Sequence, residues 1–97
     1  MIQSFADVST EHIFYDEDSK RSRTIAKSLW PVVRRKLSYV HAAATLADLR
    51  VPLCNRLEAL AGALAGRYSI RVNDQHRITF RFEAGHAWEV CCEDYHS

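Results

Sequence analysis

The sequence predicts an α+β fold in two layers, from two patterns and a length. The last third of the chain, Arg67 to His96, reads as three short runs of alternating apolar and polar residues parted by two tight polar breaks. Alternation rich in β-branched and aromatic residues marks half-buried strands. Ahead of it, Leu29, Val33, Leu37, Val40 and Ala44 recur at steps of four or three, the stripe of an amphipathic helix. Ninety-seven residues bury one modest core, so residues 1–97 are expected to form a single domain.

Each element follows from local chemistry. Met1 to Phe5 alternates apolar and polar side chains and suits an edge strand. Ser9-Thr10-Glu11-His12 offers an N-cap to a brief helix carrying Ile13 and Phe14, which ends at Asp16-Glu17-Asp18-Ser19. Lys20 to Lys27 is expected as an exposed loop or frayed turn. With Ser28 as cap and Pro31 tolerated in the first turn, the main helix is expected from about Leu29 to Ala44. Leu46-Ala47-Asp48-Leu49 adds at most one turn, ended by Pro52. Residues 50–66 read as a loop with a short ordered piece at Asn55–Leu60. Asn73-Asp74-Gln75 and Ala84-Gly85 supply the two hairpin turns of the meander.

Successive strand side chains face opposite sides of a sheet, so the alternation also predicts its two surfaces. Tyr68, Ile70 and Val72 are expected with Ile78, Phe80, Phe82, Trp88, Val90 and Cys92 on the apolar side. Ser69, Arg71, Arg77, Thr79, Arg81, Glu89, Cys91, Glu93 and Tyr95 are expected on the polar one. Cross-strand Arg–Glu pairing accounts for such a face without any function. Two features argue for more: the arginines crowd the middle strand, and the chain runs out through Glu93-Asp94-Tyr95-His96, four proton-transfer groups in a row.

Composition narrows the function classes. No long apolar run suggests a membrane span and no basic-then-apolar start suggests a signal peptide, so a cytoplasmic protein is expected. Three cysteines without metal spacing read as reduced thiols, Cys92 in the core and Cys91 a neutral member of the polar face. The glycines fit no phosphate loop, the five histidines are scattered, and no nucleophile elbow is present, so neither cofactor nor metal is expected. The net charge of +1 conceals blocks: residues 1–18 carry five acids and no base, and residues 19–50 carry +7. Blocks of this kind suggest charged partners. On the main helix Arg34, Arg35, Lys36 and His41 lie opposite the apolar stripe, either a solvated face or a surface for nucleic acid or a protein partner.

An arginine-lined sheet ending in Glu-Asp-Tyr-His suits phosphodiester cleavage. Attack of an RNA 2′-OH on its own phosphate needs a base, an acid for the leaving oxygen and fixed positive charge for the phosphorane. Histidine titrates near neutrality, arginine offers planar donors to phosphate oxygens, and an aromatic ring can stack a base.

Several segments together resemble a known family. Asn55-Arg56-Leu57-Glu58-Ala59-Leu60, Gly66, Ser69-Ile70-Arg71-Val72-Asn73-Asp74-Gln75, Arg77-Ile78 and the terminal Asp94-Tyr95-His96 are similar to the HigB toxins, killer proteins of the RelE superfamily. Arg35-Lys36-Leu37, Ala43-Ala44-Thr45-Leu46 and Asp48-Leu49-Arg50-Val51-Pro52 extend the likeness over nearly the whole chain. The resemblance implies a RelE-like fold, with two N-terminal helices packed on a twisted, mostly antiparallel sheet made of an N-terminal strand and a C-terminal three-strand meander. It implies the toxin of a type II toxin–antitoxin pair, a metal-independent endoribonuclease that cuts mRNA on the ribosome. The implied partners are a HigA-type helix-turn-helix antitoxin, the ribosome and its message, and operator DNA only through the antitoxin, with no membrane.

By position, Arg77 would stabilise phosphate charge, Tyr95 and His96 would place the RNA and move protons, and Asp94 would orient them. Arg34, Arg35, Lys36, Arg71, Arg81 and Glu58 would contact RNA. The chain departs from the family pattern at Ala61, where many relatives are basic, at Glu58, where some ribonuclease members carry histidine, and at His76, which replaces a tryptophan. These departures open a second reading, a module that binds ribosome, RNA or antitoxin with weak or no cleavage.

Overall fold

The computed structural model of the protein describes residues 1–62 and 66–94. Helix α1 (Val8–Phe14) and helix α2 (Trp30–Ala42) precede a four-stranded antiparallel sheet of β1 (Glu58–Ala59), β2 (Arg67–Arg71), β3 (His76–Glu83) and β4 (His86–Asp94), in the spatial order of the sequence. The α+β class and the meander expected from the alternation are thus present.

Several boundaries differ from the sequence expectation, each for a local reason. Asp7, not Ser9, caps α1, its Oδ1 accepting from the backbone N–H of Thr10 at 2.9 Å. Ser28 does not cap α2. It sits in a 3-10 turn, Lys27–Leu29, that leads into the helix, whose second residue is Pro31. The N-terminal segment makes only two isolated parallel bridges to β4, Ile2 with Ala87 and Phe5 with Val90. The ordered piece expected at Asn55–Leu60 contributes the two-residue strand β1 on the other edge. Between Leu46 and Arg50 a 3-10 turn forms behind a capping box of Thr45 and Asp48. The β3–β4 turn is Ala84-Gly85 as expected, with φ of 52° and 80°, the signature of a type I′ hairpin turn.

One side of the sheet is dry. Ile70, Ile78, Phe80, Ala87, Val90 and Cys92 meet Ile13 of α1 and Val33, Leu37 and Val40 of α2 in a continuous core. Leu37 is fully buried, so truncation to alanine removes about 2–5 kcal/mol of stability. No helix among the described residues is long and apolar enough to cross a membrane.

Part of the two charge blocks pairs internally. Asp18 receives Arg23 at 2.8 Å and Lys27 at 3.0 Å, and Asp16 receives Arg34 at 2.8 Å. Hydrogen bonds from Arg23 and then Lys27 hold the Asp18 carboxyl down to about 2. Two carboxylates of the acidic start thus take up three cations of the basic block that follows.

Candidate functional site

The register of the sheet assembles the polar face row by row. Arg71 on β2, Arg77 on β3 and Glu93 on β4 are cross-strand neighbours, as are Ser69, Thr79 and Cys91 in the next row. Glu58 of β1 lies beside Ser69. Like charges directly opposite each other cost stability, so the Arg71–Arg77 pair needs acids around it. Glu93, Glu58 and Asp74 supply them, Asp74 by accepting a hydrogen bond from Arg71.

Arg77 is the fixed member. Its side chain is 11% exposed. The Nε donates to Ser69 Oγ at 2.8 Å, and one terminal nitrogen donates to the carbonyl of Arg56 at 2.6 Å. The same nitrogen stands 3.9 Å from the Glu58 carboxylate, a rim pair worth little by itself because Glu58 is well exposed. The same nitrogen also donates to the Ser69 carbonyl at 3.4 Å, so three hydrogen bonds fix the direction of a guanidinium with five donors. Its other terminal nitrogen has no partner among the described residues, an arrangement that suits phosphate oxygens.

The Arg56 carbonyl is itself positioned from below. Arg56 adopts left-handed φ and ψ of 44° and 58°, directly after the 3-10 turn Leu53–Asn55. Asn55 is fully buried; its amide donates to the carbonyls of Leu49 at 3.2 Å and Val51 at 3.4 Å. Its Oδ1 accepts from Lys36 Nζ at 2.6 Å. Lys36 is only 3% exposed, and burial lowers its pKa. This corrects the basic helix face: Lys36 points into the body of the protein and cannot touch RNA. Arg34 is also engaged, with Asp16 and with the Ile13 carbonyl at 3.2 Å, where a cation suits the C-terminal end of α1. His41 accepts from the backbone N–H of Ile2 at 3.2 Å, so of the four residues expected on that face Arg35 alone is exposed, and α2 packs on the side of the sheet away from Arg77.

The strand leading to the C-terminus is anchored by the first turn of α1. Thr10 Oγ1 accepts from the backbone N–H of Cys92 at 2.9 Å, and Asp7 Oδ2 accepts from Cys91 Sγ at 3.3 Å. Burial first, and then the Asp7 carboxylate, push the Cys91 thiol up; burial takes Cys92 up to about 12. Both stay protonated and neither is a thiolate nucleophile. Asp94 ends β4 opposite His76. Tyr95 and His96 lie outside the described residues.

Arg81 occupies the far end of the same face, beside Arg67 and Trp88. Here the sequence expectation fails for Trp88. Thr79 pairs with Cys91 and Arg81 with Trp88, so Phe80 alone spans Glu89 and Val90, a β-bulge. Glu89 is the extra residue, with φ of 55°. It switches Trp88 from the apolar face to the arginine face, where Arg81 lies 4.9 Å from its ring centre. Among the described residues no group of three or more His, Cys, Asp or Glu is placed to hold a metal ion.

The structure thus brings together Arg77, Arg71 and Glu58 of the expected residues and leaves Arg81 further along the face. Sequence reasoning gave Ser69 and Asn55 no role in holding the site. A hydroxyl two residues before Arg71, on the arginine side of β2, is a weak signal for the first. An asparagine directly before the left-handed Arg56 gave no signal for the second.

Comparison with known proteins shows the family. Residues 3–96 match the family model described as the RelE-like toxin of the type II toxin–antitoxin system HigB. Toxin HigB-1 of Vibrio cholerae is 42% identical over 85 residues, which cover 88% of this chain and 87% of that protein. An uncharacterized protein of Haemophilus influenzae is 39% identical over 70 residues, covering 72% and 68%. Among solved structures, a chain of the YoeB-YefM complex from Staphylococcus aureus superimposes with a TM-score of 0.61 at 16% identity, over 100% of this chain and 99% of that one. The YoeB/ParE toxin from Agrobacterium tumefaciens gives 0.59 at 15%, over 98% of each. At such identities these likenesses speak for the fold.

Proposed function

This chain belongs to the RelE-like HigB toxins of type II toxin–antitoxin systems, and we propose that it acts as a ribosome-dependent mRNA endoribonuclease held inactive by a helix-turn-helix antitoxin. The observation that carries the reading is Arg77, a buried-stemmed guanidinium pinned by Ser69 and the Arg56 carbonyl on a strand whose neighbour β4 leads to Asp94-Tyr95-His96. A cation fixed before the substrate arrives stabilises developing charge without reorganising, which is the most effective form of electrostatic catalysis.

In the proposed reaction a base removes the proton of the 2′-OH, and that oxygen attacks the adjacent phosphorus. The bond from phosphorus to the 5′-oxygen breaks, leaving a 2′,3′-cyclic phosphate, and an acid returns a proton to the departing 5′-oxygen. Arg77 neutralises the phosphorane, with Arg71 beside it. Tyr95 and His96 place the RNA and carry protons, and Asp94 orients them. Glu58, on the rim of Arg77, is a further proton acceptor at the face. The side chains supply acid and base, so the scheme needs no metal. Work on translating ribosomes implies the cytoplasm.

One observation favours a second reading. Glu58 puts a carboxylate 3.9 Å from the cation meant for phosphate, and Ala61 nearby brings no charge to offset it. A toxin so arranged can stall ribosomes by occupancy. Primer extension on message from a translating extract, with and without ribosomes, separates the two. New 5′ ends on translated message alone are expected; stalled ribosomes carrying uncut message would favour occupancy.

A further inference from the structure

The bulge in β4 sets a second feature on the arginine face. A regular strand would keep Trp88 in phase with Val90 and Cys92, on the side of the core. Instead Glu89 takes a left-handed conformation unfavourable for a non-glycine residue. Three contacts impose it. Arg67 donates to the Glu89 carboxylate at 2.6 Å and to its carbonyl at 3.3 Å, and Ser4 Oγ accepts from its N–H at 2.9 Å. Bulges beside functional sites commonly re-aim a side chain, and strain held by surrounding contacts points to use.

The re-aimed side chain makes a shelf. Trp88 is half-buried, its indole under the Arg81 guanidinium and edge-on to His86 at 5.8 Å. The Arg81 side chain remains 42% exposed, and its nearest acid, the exposed Glu83, stands 3.4 Å away. Arg67, opposite Arg81, is held by two bonds to Glu89 and is 20% exposed. Arg81 has one longer bond to the exposed Glu83, so it is the more accessible cation of the pair. Arginine planes and aromatic rings are the surfaces on which single-stranded bases stack, whatever the base. Arg81 is four residues from Arg77 on the same face of β3, about 13 Å along the strand.

We propose that Arg81 and Trp88 form a stacking subsite for a nucleobase of the RNA strand whose scissile phosphate Arg77 binds. This rests on the ribonuclease reading and deepens it: Arg77 meets a phosphate, and the shelf holds a flanking base without reading its identity. A pair serving only to join β3 to β4 would not need a left-handed Glu89, because a tryptophan on the core side buries more apolar surface.

The test uses the full-length toxin and a short single-stranded oligoribonucleotide, intact or with one abasic position walked along it. Trp30 is buried, so Trp88 is the tryptophan expected to respond. The intact oligonucleotide should quench the fluorescence, and Trp88→Phe should lose that quenching. One abasic position should weaken binding about tenfold while the others do not. Trp88→Leu should weaken binding to a similar degree and Trp88→Phe much less, with thermal melts checking that both variants fold. Equal binding of every abasic oligonucleotide without quenching would overturn the shelf. So would a Trp88→Leu variant that binds RNA normally but escapes its antitoxin, since the shelf would then serve a protein. If the intact oligonucleotide does not bind while message is still cut on ribosomes, the shelf fails and the ribonuclease reading stands. If message is not cut either, both fail.

Discussion

Helix α2 and strand β3 each carry a cluster of basic residues, and the fold treats them in opposite ways. Arg34-Arg35-Lys36 are consecutive, so on a helix they fan out around the axis. One turns inward to Asn55, one binds Asp16 and the end of α1, and Arg35 alone is left exposed. Arg77 and Arg81 are four apart on a strand, an even spacing that puts both on one face. Their cross-strand partners, Arg71 and Arg67, add to it. Charge density in sequence is thus a poor guide to charge density on a surface, whereas spacing at the period of the element is a good one.

The comparison can be broken by substitution, and the largest effect should fall on the strand. Arg77→Ala should lower message cleavage about 100- to 1,000-fold. Arg77→Lys should recover little of it, because an ammonium lacks the planar fork that Ser69 and the Arg56 carbonyl now hold. Rates of 5′-end formation on programmed ribosomes measure both.

On the helix side the same logic predicts a stability defect. Asn55→Ala leaves the buried Lys36 ammonium with only the weakly accepting Cys54 sulfur, 3.7 Å away, and should cost roughly 2–3 kcal/mol in denaturant unfolding. Cleavage should fall as well, through the carbonyl of Arg56 that Asn55 helps to place. Lys36 also gives a pH signature. Its folded pKa lies below 10.5, so in the window between the two values the unfolded chain binds more protons and native stability rises with pH. The Cys91 and Cys92 thiols act in the opposite sense above pH 9, since their folded values are raised. The difference between wild type and Lys36→Met isolates the lysine, and it should widen in favour of wild type as pH climbs towards 10.5.

Two smaller effects complete the series. Thr79 lies fully buried between the two ends of the arginine face, its Oγ1 without a partner among the described residues. Thr79→Val should therefore raise stability by about 1 kcal/mol in unfolding experiments and leave cleavage unchanged. Arg34→Ala removes a surface pair with Asp16 and should cost no more than about 1 kcal/mol in the same measurement.

The strands and turns were legible because their causes are local. Alternation at period two marks β2 and β3, and Ala84-Gly85 marks a turn with two positive φ values. The Trp88 face was not legible. A bulge adds one residue without changing composition, and Glu89 at the left-handed position is neither the glycine nor the asparagine that would announce it. Lys36 was legible in principle: 33, 36, 37 and 40 share one side of a helix, and three of them are plainly core residues. Its charge drew it to the polar face instead. Arg77 stood out by type and motif, but what holds it arrives from Ser69 and from a loop some twenty residues upstream, contacts that no local pattern encodes. The parallel bridges of the N-terminal segment to β4 are long-range in the same way.

The most direct test maps and counts message 5′ ends in a translating extract for wild type, Arg77→Ala and the Arg34→Ala/Arg35→Ala pair, all verified as folded. The account predicts ribosome-dependent ends for wild type and for the helix pair, and their loss with Arg77→Ala. Full cleavage by Arg77→Ala, or its loss in the helix pair alone, would contradict the claim that the chemistry sits on the sheet.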